Sequence, residues 1–375
     1  MRVAVIPTIR EYPWGAPGHC MGQLVEALLE NGHDVLWFVA PIDSNNPEVA
    51  RLAARGATMV SLQEYPPGYG RFASFRRRVR ALRNGTKQVS AVLSAYQPEH
   101  TFINQGGTWC ALEEEYLGFL NSHAGRYSLI CHLNQYSRPF TPDKLPRARQ
   151  FMGDAKRVFF PSNWTRELAE GQIAKNIRQV SYFQYPVRFE FDSPLSWPGS
   201  NVPRLALVGR LDAMHKGIDL AFEAIARLKR EGVQLRFSLY GNGEDEDYLR
   251  KLSSFVGIED MVAFVGYVAN VDDVWLREEL LLLPSRFEGS AVALTEAMGF
   301  GRPVLTNAVG GAAEWVEDGN TGYVCPAPDV GLLTSTLRRA LSERSNWRAM
   351  GLEAHAKIKL QLDPKPARHF LQALD

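Results

Sequence analysis

The chain has almost no net charge: 42 Lys and Arg against 41 Asp and Glu leave +1 over 375 residues. That excludes a surface built as a whole to attract polyanions, so nucleic acid is not an expected partner and any electrostatic function must be local. Cysteine is scarce, with four residues (Cys20, Cys110, Cys131, Cys325). Their spacing fits neither a metal site nor a disulfide scaffold. They read as reduced thiols of a cytoplasmic protein. No apolar run reaches the ~20 residues of a membrane span. The amino terminus, Met-Arg-Val-Ala-Val-Ile-Pro-Thr, reads as a short strand and not as a signal peptide. Neither half carries Gly-x-Gly-x-x-Gly after its first strand, which argues against a dinucleotide-dependent oxidoreductase. Internal repeats and low-complexity tracts are also missing.

What is present alternates. Short apolar runs are followed by longer helical patterns in both halves, the βαβ signature of parallel sheets with helices on both faces. In the first half the strands read as 2–7, 35–40, 58–61, 100–104, 128–133 and 158–161. In the second they read as 204–208, 234–240, 262–265, 280–283, 303–306 and 323–324. Between them, 184–203 is punctuated by Pro186, Pro194, Pro198, Gly199 and Pro203, the best available boundary. The expected division is a domain at 1–184, a linker at 185–203, a domain at 204–360 and a final helical segment at 361–375 that the sequence cannot place. Two doubly wound domains in tandem would turn the carboxyl ends of their strands toward a shared cleft, where ligands of such sheets bind.

Two glutamates carry the strongest chemical signal. Glu288 and Glu296 stand in Leu-Pro-Ser-Arg-Phe-Glu-Gly-Ser-Ala-Val-Ala-Leu-Thr-Glu-Ala-Met, positions 283–298. The run 280–283 reads as a buried strand and 291–298 as a helix, so Glu288 sits on the loop at a strand's carboxyl end. An all-helical span of that length would rise ~12 Å, wider than the ~5–9.5 Å of a glycosidase carboxylate pair. The spacing suits a ligand with a hydroxylated group at each end, since a carboxylate accepts two hydrogen bonds side by side. A nucleotide sugar has that form.

Arg210 and Lys216 bracket the loop that follows the first strand of the second half and feeds a helix over 218–229. Two fixed cations at a helix amino terminus make a diphosphate site without a metal. Gly241 and Gly243, after the next strand, permit a tight turn and close approach of backbone amides to a ligand. Asp245-x-Asp247 superficially resembles a divalent-metal motif, but the acidic cluster opens a helix, where carboxylates oppose the macrodipole. No metal and no cofactor are expected.

The set Gly209-Arg210, Lys216-Gly217, Gly241-x-Gly243, Pro284-Ser285, Glu288-x7-Glu296-Ala-Met, Gly301-x-Pro303-Val304 and Asp318-Gly319-x2-Gly322 resembles the family 4 retaining glycosyltransferases of the GT-B fold. The resemblance covers nearly all of 204–342. In the first half it is looser: Gly15 and Gly18 stand where the family has a glycine-rich loop, and His132 matches its histidine near the donor sugar. The resemblance implies two Rossmann-like domains facing across a cleft and transfer of a sugar, from a UDP-sugar on family base rates, to a glycan, lipid-linked or other hydroxyl acceptor. It implies that Arg210 and Lys216 bind the diphosphate, Glu296 the ribose and Glu288 the sugar. His132 would orient the sugar. Gly209, the backbone at Ser290, Ala291 and Val292, and that at Tyr267 and Val268 would complete the donor site, the last two near the base. Where the family often has Phe-Gly after Glu-Gly, this chain has Ser290-Ala291. The implied mechanism is front-face attack with retention. An epimerase of the same fold, or a non-catalytic nucleotide-sugar-binding protein, would share the binding residues.

A last feature is basic. Arg71, Arg76, Arg77, Arg78, Arg80, Arg83 and Lys87 lie in a stretch with no acidic residue between Glu64 and Glu99. With Phe72, Phe75, Val79 and Leu82 at helical spacing, it reads either as a solvated helix face or as a surface for anionic lipid headgroups or a phosphate-bearing acceptor. The second reading expects a peripheral association with the inner face of a membrane.

Overall fold

A computed structural model describes residues 1–9, 14–62, 86–114, 116–134, 140–187 and 191–375. The chain divides into two compact units, Met1–Pro186 with Pro364–Asp375, and Val187–Asp363. The basic stretch at 71–87 lies outside the described residues apart from its last two positions, which begin the helix Thr86–Tyr96.

The first unit holds a seven-stranded sheet in the order β3-β2-β1-β4-β5-β6-β7. Its strands are β1 (Arg2–Pro7), β2 (Asp34–Val39), β3 (Thr58–Ser61), β4 (His100–Gly107), β5 (Tyr127–Leu133), β6 (Arg157–Phe160) and β7 (Val180–Tyr182). The second holds six strands, β8 (Arg204–Val208), β9 (Arg236–Tyr240), β10 (Val262–Gly266), β11 (Leu280–Leu283), β12 (Val304–Asn307) and β13 (Gly322–Cys325), in the order β10-β9-β8-β11-β12-β13. Every pairing in both sheets is parallel. In each sheet the order reverses beside the first strand, between β1 and β4 and between β8 and β11, which is where doubly wound sheets take their ligands. Strand β11 is four leucines with no exposed surface, because a central parallel strand is covered on both faces and so reads as a continuous apolar run.

Helices α1 (Ala16–Glu30), α2 (Ala213–Lys216), α3 (Ile218–Arg230), α4 (Glu246–Phe255), α5 (Val292–Gly299), α6 (Val330–Ser342), α7 (Trp347–Gln361) and α8 (Arg368–Leu371) are the ones that matter below. Helix α3 buries Ile218, Ala221, Phe222, Ile225 and Leu228, an apolar stripe at helical spacing laid on the second sheet. No helix among the described residues is long and apolar enough to cross a membrane.

Two boundaries differ from the sequence reading. The expected linker at 185–203 does not run free: from 187 onward it belongs to the second unit. The reason is Arg302, whose buried guanidinium donates to the carbonyls of Leu195 (3.3 Å) and Ser196 (2.7 Å) as well as to those of Trp275, Glu278 and Phe300. Trp197 covers the same guanidinium at 5.1 Å. The final segment, which the sequence could not place, joins the first unit, where Phe370 of α8 packs on Phe159 and Phe183 at 5.0 and 5.4 Å.

Candidate active site

The loop after β8 is built around two backbone constraints and one carboxylate. Gly209 leaves the strand with φ +149°. Asp212 then caps α2: its carboxylate accepts the His215 backbone N–H (2.9 Å), the His215 ring Nδ1 (2.8 Å) and Arg210 Nη2 (3.0 Å). Burial pushes the Asp212 carboxyl up, but these bonds outweigh it and hold it below the usual carboxylate range. Gly217 ends α2 and begins α3 with φ +63°, and a Cβ there would stand 2.1 Å from the Pro284 carbonyl oxygen. Only glycine satisfies both demands, so α2 lies directly on the loop that carries Glu288.

That contact brings two of the expected groups together. Lys216 Nζ donates to Glu288 Oε1 at 2.5 Å, and Ser285 Oγ donates to the same oxygen at 2.8 Å. Both side chains are largely enclosed, Lys216 at 21% and Glu288 at 10% exposure. The loop around them is fixed from three directions. Asn307 Nδ2 donates to the carbonyls of Pro284 (2.8 Å) and Ser285 (3.0 Å). Arg286 donates its backbone N–H to the His215 carbonyl (2.8 Å) and its guanidinium to the Ala213 carbonyl (2.8 Å), and forks onto Asp219 at 2.7 and 2.6 Å. Beneath, Gly310 lies so close that a Cβ would stand 2.1 Å from the Glu288 carbonyl oxygen, and Gly311 donates to the Gly289 carbonyl at 2.7 Å.

Glu296 sits on a half-buried position of α5, whose inward face is Leu294, Thr295, Ala297 and Met298. The helix starts only at Val292, so half of the span from Glu288 is loop and the all-helical rise does not describe the pair. Ala291 is the N-cap of α5 and makes no side-chain cap, leaving the backbone at Ser290, Ala291 and Val292 as the helix's own amino terminus.

Gly241 and Gly243 lie against the loop after β8. A Cβ on Gly241 would stand 2.0 Å from the Gly209 carbonyl oxygen, and one on Gly243 2.1 Å from that of Leu211. The Gly241 amide is committed to the Gly266 carbonyl at 2.8 Å. These glycines let the β8 and β9 loops lie against each other. Asp245 likewise serves the loops: its carboxylate accepts the Ala213 N–H at 2.8 Å, and Glu246 and Asp247 fill the first turn of α4. Tyr267, just past β10, is 73% exposed, while Val268 packs partly into the core.

In the first unit, Gly15 caps α1 and Gly18 lies under the Trp14 indole, 2.9 Å from where a Cβ would be. His132 is buried at the end of β5 with both ring nitrogens engaged. Asn104 donates Nδ2 to the Pro17 carbonyl (3.4 Å), which turns its Oδ1 toward His132 Nε2 (2.6 Å). Nε2 therefore carries the proton, and Nδ1 accepts the Tyr185 hydroxyl at 2.7 Å. Burial pushes the imidazole down to about 3, so it is neutral. A ligand hydroxyl reaching this ring would have to replace one of these two partners.

The sequence reading missed Asp212, Asp219, Arg286 and Asn307. Asp212 carries a local signal, an N-cap aspartate three residues before His215. The partners of Asp219, Arg286 and Asn307 lie across other loops, as with Arg286 and Asp219 at 67 residues' separation, and no local pattern announces such pairs.

Residues 198–357 match the family described as Glycosyl transferases group 1. The alpha-D-kanosaminyltransferase of Streptomyces kanamyceticus is 34% identical over 126 residues, covering 33% of this chain and 32% of that protein. The amylovoran biosynthesis glycosyltransferase AmsK of Erwinia amylovora is 29% identical over 168 residues, covering 43% of this chain and 41% of that one. The matched stretches thus span well under half of these relatives. In structure, the HepE protein of Anabaena, solved with UDP and glucose, superposes over 100% of this chain and 99% of its own with a TM-score of 0.70 at 17% identity. Residues 198–357 are therefore a domain of the group 1 glycosyltransferases, in a chain with the GT-B fold.

Proposed function

We propose that the chain is a family 4 retaining glycosyltransferase, independent of metal, that moves a sugar from a nucleotide-sugar donor to a hydroxyl acceptor. The observation that carries this reading is the Lys216–Glu288 contact, which puts a cation suited to phosphate and a carboxylate suited to sugar hydroxyls at one point on the sheet's carboxyl edge. Arg210 and the amino terminus of α3 lie on the same loop. A UDP-sugar donor is favoured by the UDP and glucose bound in the HepE structure. A glycan or lipid-linked glycan acceptor is favoured by the amylovoran role in the name of one relative.

In this mechanism the bond from the anomeric carbon to the diphosphate oxygen breaks as the acceptor oxygen bonds to the same face of that carbon. The acceptor's proton passes to the departing diphosphate. Arg210 and Lys216 neutralise the charge that grows on the leaving group, which is electrostatic stabilisation by groups already in place. Glu296 holds the ribose and Glu288 the transferred sugar.

The test is a thermal-shift screen of the chain against UDP-, GDP- and ADP-sugars, followed by product analysis with the donor that binds. A donor at about a hundred times its Kd stabilises the folded chain by about 2.7 kcal/mol. Transfer with retained configuration in the presence of EDTA supports the reading. Inversion, an EDTA-sensitive rate, or conversion of the donor sugar without any acceptor would each overturn it.

A further inference from the structure

We infer that the second unit carries a separate anion site, between α3 and α6, for a phosphate ester of a sugar or similar polyol. The groove there has a volume of about 510 Å³ and is lined by Arg227, Arg230 and Arg338 together with Glu231, Thr334 and Ser335. Arg227 lies about 15 Å along the α3 axis from Gly217, at the helix rise of about 1.5 Å per residue. The groove is therefore distinct from the Lys216 loop, and the inference does not rest on the transferase reading.

The charges in the groove do not balance. Arg338 is matched by Glu231, to which it donates at 3.0 and 2.6 Å. Arg230 donates only Nε, to the Ala226 carbonyl at 3.2 Å, and Arg227 has no acceptor among the described residues. A cation in the last turn of a helix is stabilised by the macrodipole. Lys229 already supplies one, anchored to Asp260 and the Gly257 carbonyl. The dipole does not account for two further arginines on the side facing α6. Arg227 and Arg230 stand three residues apart on one helix, where like charges repel. An anion between their guanidinium forks removes that repulsion, and the forks match a phosphate's oxygens.

The rest of the lining points to hydroxyls on the same ligand. Thr334 and Ser335 donate their protons to the carbonyls of Val330 and Gly331 at 2.6 and 3.1 Å, leaving oxygen lone pairs as acceptors. Hydroxyl acceptors and guanidinium donors lining one groove suit a molecule with hydroxyls and a phosphoryl group. The groove is shallow and open to solvent, and it is larger than inorganic phosphate would fill.

The experiment is a calorimetric titration of the full chain with hexose 6-phosphate, inorganic phosphate and the free hexose, and sedimentation with anionic and neutral vesicles. The variants are Arg227→Gln/Arg230→Gln, Glu231→Gln and Glu296→Ala. Hexose 6-phosphate is expected to bind saturably, more tightly than inorganic phosphate, and the free hexose not at all. The double arginine variant, whose sites are exposed, should melt as the parent does and bind about tenfold more weakly, about 1.4 kcal/mol. Glu231→Gln frees Arg338 and should tighten binding, while Glu296→Ala should leave it unchanged. No saturation up to about 10 mM, a limit of roughly −2.7 kcal/mol, overturns the inference. So does binding that ignores the arginine change but responds to Glu296→Ala, which would place the ligand in the donor site. Arginine-dependent binding to anionic vesicles without binding of hexose 6-phosphate would assign the groove to lipid headgroups instead.

Discussion

Lys216 Nζ lies 2.5 Å from Glu288 Oε1, across 72 residues of sequence. Each group is assigned to a different part of the proposed donor, so the pair cannot persist unchanged when the donor binds: the diphosphate competes with Glu288 for the ammonium. Glu288→Gln removes that competitor while keeping the shape and the Ser285 contact. UDP alone should therefore bind this variant as tightly as the parent or a few-fold more tightly, while transfer falls by about 100-fold, the scale set by losing one preorganised polar contact. Lys216→Met should weaken UDP and UDP-sugar alike by about tenfold or more. Calorimetry with UDP decides the first point, and weaker UDP binding by Glu288→Gln would contradict the exchange.

Glu296 provides the complementary test. On the proposed assignment it holds the ribose, so Glu296→Ala should raise the Kd for UDP while sparing the rate of the bound donor. The opposite pattern, with UDP affinity kept and transfer lost, would mean that the two glutamates face the reverse ends.

Arg286 helps tie the loop after β8 to the loop after β11, through Asp219, the Ala213 carbonyl and the His215 carbonyl. A lysine cannot reproduce the fork. Arg286→Lys and Asp219→Asn should each destabilise the chain, and the double variant should fall short of their sum. The coupling expected for a directly bonded pair is about 0.5–3 kcal/mol in a double-mutant cycle followed by urea unfolding. Strict additivity would show that the loops are held without this pair.

Much of this architecture was legible in the sequence because periodic burial writes itself into composition. Strands β1, β3, β8 and β11 fall where their apolar runs predict, and α3 starts at the expected Ile218. Strand β7 was not seen: at three residues, Val180–Tyr182, it is too short for a run or an alternation to register. The site was legible as a set of residue types but not as a geometry. Glu288 and Lys216 could be named separately, yet nothing local says that they touch. Gly241 and Gly243 read as positions needing a bare backbone, but that the carbonyls of Gly209 and Leu211 press against them is not local information.

The buried histidines set a pH dependence for stability. His100 and His132 are each depressed to about 3, in both cases first by burial, with Lys156 adding to the effect at His100. Above the ordinary value of 6.5 both states are neutral and these groups contribute no slope. Below it the unfolded chain binds protons that the folded chain refuses, so stability falls as pH drops from 6.5 toward 3. From pH 6.5 to 5 the loss is about 2 kcal/mol per histidine, from 1.36 kcal/mol per unit. Urea unfolding across that interval should show it, and His100→Asn should flatten the curve. Nitrogen NMR should find the His132 proton on Nε2, and a proton on Nδ1 would refute the Asn104 orientation.

The glycine contacts allow a sharper experiment, because three positions share a positive φ and differ in what surrounds them. Gly310 (φ +57°) has the Glu288 carbonyl oxygen 2.1 Å from a built Cβ, and Gly217 (φ +63°) has the Pro284 oxygen at the same distance. Gly319 (φ +81°) has nothing within 4 Å. Alanine at Gly319 should cost only the strain of a left-handed residue, about 1–2 kcal/mol, and leave donor binding intact. Alanine at Gly310 carries the same strain and must also push the Glu288 backbone away. It should therefore cost more stability than Gly319→Ala and reduce transfer as Glu288→Gln does, although no functional side chain has been removed. Gly217→Ala should instead move Lys216 and raise the Kd for UDP. If Gly310→Ala and Gly319→Ala were equal in melting and in activity, the close packing of the β12 loop beneath Glu288 would not be what fixes that carboxylate.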